Sequence, residues 1–260
     1  MSEQDGTQSS TKRRRRRKTS TANQQNGKQI PAVQRPSNDD TEAWKEYWRV
    51  QGQSWRTEPE IDAERQLYLA ERRSIEPEIK QGIYPFKDIR LSRTDVEWLL
   101  VTYENGRGPI KWDDEQRHER EGLDLCGAIL CDVNLSRLPL TKLRAGLNQK
   151  QWKAATQDQR KASAIHLEKA KLVATHLEGA SLRGAYLEGA YIKQAQLQYA
   201  YFTEACLAGA SLQGAHLEGT KLTKTYLAGK VMSEKELEQV HVWVKDFPEV
   251  LPPTDLSTQS

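Results

Sequence analysis

The chain has 260 residues, 37% hydrophobic and 29% charged, with a formal net charge of +3, long enough for a core that needs no disulfide or metal support. No stretch approaches the roughly 18 apolar residues of a membrane helix, and the basic N-terminus has no apolar segment behind it of the kind a secretory signal needs. The three cysteines, Cys126, Cys131 and Cys206, are odd in number and follow no zinc spacing, so the expected setting is a reduced, cytoplasmic one.

The charge is unevenly spread. Residues 1–40 carry nine Lys/Arg against four Asp/Glu, whereas residues 41–122 carry fourteen against eighteen. Residues 1–38 are polar, with almost no large apolar side chain before Ile30, a composition expected to stay disordered because it cannot offset its ordering entropy. Within them lie seven consecutive cations, Lys12, Arg13, Arg14, Arg15, Arg16, Arg17 and Lys18. One reading of this run is a nucleic-acid contact, since clustered cations release counterions from phosphate; the other is a solubilising, self-repelling tail.

Residues 39–121 have a helical composition. Asp39, Asp40 or Thr41 is placed to cap a helix carrying Trp44, Tyr47 and Trp48, and a second helix is expected after Pro59, with Ile61, Leu67, Leu69 and Ile75 as its apolar positions. A third is expected to start at Ser92 or Thr94, with Glu97 closing a capping box on Thr94. Leu99, Leu100, Val101 and Tyr103 follow, and Asn105-Gly106 supplies a stop. The segment Gly82-Ile83-Tyr84-Pro85-Phe86 reads as a turn or a short extended piece. The region is either a small helical module or an N-terminal cap.

From Gly122 the sequence repeats in fives: LDLCG, AILCD, VNLSR, LPLTK and, after an interruption, IHLEK, AKLVA, THLEG, ASLRG, AYLEG, AYIKQ, AQLQY, AYFTE, ACLAG, ASLQG, AHLEG, TKLTK, TYLAG, KVMSE. The third position is almost always aliphatic, the first is usually Ala and the fifth is often Gly. Five residues carry an α-helix about 140° past a full turn, so the leucines would wind round its axis. On a flat strand they would alternate faces, because five is odd. A chain that turns a corner every five residues hides both the Leu and the Ala position and leaves the other three outside, with Gly suited to the corner.

These residues resemble the pentapeptide-repeat superfamily from about residue 122 to 233. The resemblance implies a mainly β fold, a right-handed quadrilateral β-helix of four units per turn, with neighbouring rungs about 4.8 Å apart. Residues 146–164, with Gln151, Trp152, Ala154, Ala155, Thr156, Gln159, Ala162 and Ala164, read as a helical insert whose Trp152 packs back on the coil. Beyond the last repeat, residues 234–260 are expected to form a capping helix and tail. Ser233 and Glu236 make its capping box, and Leu237, Val240, Trp243, Val244 and Phe247 lie on one face. Such a cap would prevent end-to-end association.

No phosphate loop, zinc quartet or nucleophile motif stands out, and no cofactor is expected. His176 and His216 should share a face two rungs apart, on the order of 10 Å, too far for a shared metal; His166 falls on another face. Cys126 and Cys131 occupy equivalent positions of adjacent units and should point from different faces. Tyr186, Tyr191, Tyr201 and Tyr226 sit at outward second positions, as a partner surface or as packing along the ladder; Tyr186 and Tyr226 should flank Cys206 in one column. The expected function is a non-catalytic scaffold for protein–protein interaction. The alternatives are a nucleic-acid-associated protein anchored through the arginine run, a DNA-mimicking topoisomerase modulator, and an enzyme built on residues 39–121, where Glu58, Glu60, Asp62 and Glu64 cluster. Mimicry is disfavoured because residues 165–232 carry five Glu against seven Lys/Arg, the wrong sign for a phosphate backbone. The enzyme is disfavoured because those carboxylates read as a solvated helix face.

Overall fold

In the computed structural model, which describes residues 34–226, the quintet rule is obeyed unit by unit. Leu167, Leu172, Leu177, Leu182, Leu187, Ile192, Leu197, Phe202, Leu207, Leu212, Leu217 and Leu222 are buried in one continuous core, together with Ala170, Ala180, Ala185, Ala190, Ala195, Ala200, Ala205, Ala210 and Ala215. Where Thr replaces Ala in the first position, the buried hydroxyl donates to a main-chain carbonyl, as Thr220 Oγ1 does to Leu197 O at 2.8 Å and Thr225 Oγ1 to Phe202 O at 2.7 Å. That hydrogen bond offsets the cost of burying a polar group among alkyl side chains.

The second-position residues form parallel bridges, His166 with Tyr186, Tyr186 with Cys206 and Cys206 with Tyr226. The interval of twenty residues means four units per rung. Each bridge is made by bonds such as Tyr186 N–H to Ile165 O at 3.0 Å and Leu187 N–H to Cys206 O at 2.8 Å. A turn then closes the unit, with Ala190 N–H donating to Leu187 O at 3.0 Å. The fifth residue has positive φ in every described unit, in glycines such as Gly127, Gly179, Gly184 and Gly219, but also in Asp132, Arg137, Lys142, Lys169, Ala174, Gln194, Tyr199, Glu204 and Lys224. For the latter the left-handed backbone costs on the order of 1–2 kcal/mol each, which the ladder and the core must offset.

The expectation of a mainly β chain needs correction. Among the described residues every parallel pairing is an isolated bridge, and the regular elements are short helices. The physical reason is the quintet itself: turn residues occupy the fourth and fifth positions, so each side is too short to extend a ladder beyond one residue.

Residues 39–121 form a cap that continues the coil. Helix α1 (Thr41–Val50) is capped by the Asp40 side chain, α2 (Ala63–Arg73) by Asp62, and α3 (Arg93–Val101) by Ser92. The box at α3 is closed by Asp95, which accepts from Ser92 N–H at 2.8 Å, and not by Glu97 as the sequence reading held. Glu97 lies one turn further on, where its side chain faces inward. A kinked turn, α4 (Tyr103–Gly106), follows α3, with Glu104 and Asn105 in the left-handed region. The Gly82–Phe86 segment leads into the first rung. Ile129 N–H donates to Ile89 O at 2.9 Å and Leu91 N–H to Ile129 O at 3.0 Å, while Arg90 bridges Ile129. Phe86, Leu91, Val96, Leu99 and Leu100 join the same core as Leu125 and Leu130, so the end of the coil is covered by apolar side chains and a borrowed rung.

Buried charge ties this cap together. Glu97 is 0% exposed and accepts from Arg93 Nε at 2.7 Å and Thr57 N–H at 3.0 Å, with Arg56 Nε at 3.8 Å. Burial pushes its carboxyl up, against the pull of Arg93 and the Thr57 amide. Arg93 in turn donates to Asn134 O at 2.8 Å and Ser136 O at 3.1 Å on the coil and to Trp55 O at 3.0 Å. Arg56 lies flat over Trp48, 3.5 Å from the ring centroid. Arg65 makes a two-point pair with Asp95 at 2.9 and 2.8 Å, linking α2 to α3.

The interruption holds two short helices, α5 (Gln149–Ala154) and α6 (Gln157–Ser163), each opened by a capping box, Asn148 with Gln151 and Thr156 with Gln159. Trp152 is buried against Tyr84, Cys126 and Leu147, and its ring lies over Gly184, where a Cβ would come within 2.8 Å of Cη2. Arg183 reaches back from the coil to Leu147 O at 3.3 Å and Gln149 Oε1 at 3.1 Å. The rung interval across the insert lengthens from 20 to 37 residues, as in Asn134 with Lys171 and Arg144 with Ser181. The proposed helix after Ser233, like the units holding Leu227 and Met232, lies outside the described residues.

Candidate functional site: the outward faces of the coil

Four columns of second-position residues run along the coil. The first holds Ile129, His166, Tyr186, Cys206 and Tyr226; the second Asn134, Lys171, Tyr191 and Ser211; the third Pro139, His176, Gln196 and His216; the fourth Asp124, Arg144, Ser181, Tyr201 and Lys221. Tyr186 and Tyr226 therefore flank Cys206, and Tyr191 and Tyr201 stand on other faces. Tyr191 and Tyr226 are 49% and 51% exposed. Tyr186 and Tyr201 are engaged within the protein and less open to a partner: Tyr186 stacks on His166 at 4.7 Å, and Arg183 lies 4.2 Å above the Tyr201 ring. The Lys12–Lys18 run lies outside the described residues.

The most open aromatic among the described residues is one the sequence reading passed over. Tyr199, 56% exposed, occupies a fifth position, where repeats usually carry Gly, and stacks on Trp112 at 5.7 Å. Gly219 makes room for it, since a Cβ there would come within 2.7 Å of Tyr199 Cδ1. Arg117 lies 5.1 Å from the Trp112 ring. Beside this stack is a cavity of about 700 Å³ between the cap and the third face, walled by Trp55, Ile110, Trp112 and Pro139 and floored by His176 and Glu178. The signal for it in the sequence was the misfit of Tyr199 in a glycine position; nothing local marked Trp55 or Trp112 as its neighbours.

All three histidines of the repeats belong to an HLE tripeptide, and each Nδ1 faces the Glu two residues on. The distances are 3.0 Å for His166–Glu168, 2.9 Å for His176–Glu178 and 3.9 Å for His216–Glu218. Leu between them points inward, which puts second and fourth positions side by side. Glu178 is buried and also accepts from Thr141 Oγ1 at 3.0 Å. It holds the His176 imidazolium above its ordinary range, by hydrogen bond first, against a smaller desolvation effect. Since the folded-state value is raised, this contact stabilises fully below the ordinary histidine range and is lost as pH rises through the raised value. His176 is half exposed, so the effect on global stability is small. An NMR titration should give His176 a midpoint above that of a free histidine, and Glu178→Gln should bring it down.

The first face brings together groups that the sequence reading kept apart. Cys131 Sγ lies 3.0 Å from Glu168 Oε2, and His166 Nδ1 lies 3.0 Å from Glu168 Oε1. One ligand atom from each of Cys131, His166 and Glu168 lies within 4.8 Å of the others. Burial and the Glu168 carboxylate push the Cys131 thiol up to about 11. By sequence, only His176 and His216 came into question as a metal pair. Seeing this trio requires the 37-residue interval, which carries Cys131 onto Glu168. Cys126 is buried and apart from Cys131, and all three cysteines are free thiols.

A family profile, pentapeptide repeats, matches residues 170–209 and 200–229 in eight copies. Residues 170–229 match the pentapeptide-repeat family, and the coil that contains them is similar to proteins of that family. Similar solved structures include Rfr23, a pentapeptide repeat protein from the cyanobacterium Cyanothece 51142, 31% identical over 41% of this chain and 61% of that one, TM-score 0.32. HetL, a pentapeptide repeat protein involved in heterocyst differentiation regulation in the cyanobacterium Nostoc sp. strain PCC 7120, is 29% identical over 42% of this chain and 53% of that one, TM-score 0.19. QnrB1, a plasmid-mediated fluoroquinolone resistance protein, is 7% identical over 44% and 76%, TM-score 0.16. The chain thus spans 61% and 53% of the length of the first two. No curated protein matches it. Among the described residues no helix is long and apolar enough to cross a membrane.

Proposed function

We propose that the protein is a non-catalytic scaffold that binds a protein partner through the third face of its coil, which we infer winds right-handed as the family implies. The observation that carries this reading is the aromatic groove of about 700 Å³ walled by Trp55 and Trp112, continued outward by the exposed, stacked Tyr199. Aromatic side chains over small pockets are the usual anchors of protein interfaces, and Tyr199 is held on the parallel ladder, where Tyr199 N–H donates to Glu218 O at 2.9 Å, without the ordering cost a loop would incur. Lys111 and Arg137 are matched by Asp113 and Glu178 in the lining, so the groove carries both signs and the segment that fits is an apolar or aromatic anchor flanked by polar residues.

A photo-crosslinking residue at position 199 should capture one discrete partner, and Trp112→Ala should abolish the capture. The same probe at position 211, on the second face, should capture nothing comparable. Equal capture from both faces, or capture that survives Trp112→Ala, would remove the groove from the account.

A further inference from the structure

We propose that Cys131, His166 and Glu168 form a binding site for a borderline-soft divalent cation of the zinc class on the first face of the coil. The three residues supply one sulfur, one imidazole nitrogen and one carboxylate oxygen, the ligand types zinc takes, and three protein ligands leave a fourth position open. Their ligand atoms lie within 4.8 Å of one another, so modest side-chain rotations bring them to the roughly 3.3–3.8 Å separation that a tetrahedral ion about 2.0–2.3 Å from each requires.

The scaffold holds them rigidly. Cys131 and Glu168 are fourth-position residues on adjacent rungs, joined by Asp132 N–H donating to Glu168 O at 2.9 Å, and the His166 ring is stacked on Tyr186.

A second observation comes from the next rung. Glu188 stands above Glu168 in register, with Lys169 N–H donating to Glu188 O at 2.8 Å, and its Oε2 is enclosed with no hydrogen-bond partner. Like charges stacked on neighbouring rungs repel, and an enclosed carboxylate oxygen without a donor is costly. A divalent cation beside Glu168 offsets that repulsion. On binding, the Cys131 thiol gives up its proton to solvent and coordinates as thiolate, while Glu168 exchanges its bonds to Cys131 and His166 for the ion.

The site is tested on the full-length chain in two ways. Alkylation followed by mass spectrometry should show Zn²⁺ slowing the labelling of Cys131 by about tenfold or more, because a coordinated thiolate is no longer free to attack, while Cys206 labels unchanged. Cobalt should produce a sulfur-to-metal charge-transfer band that Cys131→Ser abolishes, His166→Ala weakens and Cys206→Ser leaves intact. Equal labelling of Cys131 with and without Zn²⁺, or a cobalt band that is absent or survives Cys131→Ser, would overturn the proposal. The labelling arm uses the unmodified protein, so it decides even if a variant misfolds.

Discussion

Glu97→Ala is expected to cost about 3–5 kcal/mol of stability, the usual penalty for removing one member of a buried, hydrogen-bonded ion pair. The carboxylate is enclosed and receives Arg93 and the Thr57 amide, with Arg56 close by. Without it, the Thr57 N–H loses its acceptor and the buried charges of Arg93 and Arg56 lose their counter-ion, though Arg93 keeps its main-chain acceptors. The damage should reach beyond α3, because Arg93 also carries the bonds to Asn134 and Ser136 that fasten the cap to the coil. Urea denaturation should show the loss directly. Glu60→Ala, which removes only the pair with the exposed Arg35 at 2.9 Å, should change stability by no more than about 1 kcal/mol.

Phe202→Ala is expected to cost about 3–5 kcal/mol as well, through lost transfer energy and the cavity left behind. Phe202 is the bulkiest third-position residue of the described coil and is 1% exposed, and its alkyl neighbours on the adjacent rungs are pinned by the ladder, so the hole has little means of closing. Tyr191→Ala and Tyr226→Ala remove side chains of similar size that stand about half in water. Each should shift the midpoint by about 0.5 kcal/mol or less. The contrast separates the inward column from the outward one within a single repeat type.

The contrast also marks which parts of the molecule were legible in sequence. Burial at Leu182, Leu187 and Leu197 followed from a periodicity of five that neither helix nor strand can hide, and the second-position columns followed from four units per rung. Trp152 was readable as an anchor because it was the one aromatic residue in a polar insert. Glu97 was misread for a physical reason: its spacing from Thr94 imitates a capping box, while its burial depends on Arg93, Arg56 and Thr57, which meet it only after folding. The groove was hidden likewise, since Trp55 and Trp112 come from non-repeating segments with no period to place them. Cys131, His166 and Glu168 were visible singly, but their meeting depends on how many residues the insert removes from the rung.

That register is the most direct test of the whole account. In a chain whose native cysteines are replaced, Asn134→Cys and Lys171→Cys place thiols on bridge partners, whose Cα atoms fall within the roughly 4.4–6.8 Å that a disulfide spans. The pair is expected to oxidise readily, while Asn134→Cys with Ala154→Cys, the partner an uninterrupted twenty-residue rung would choose, stays reduced. Oxidation of the second pair in preference to the first would contradict the coil described here, and with it the site on its first face.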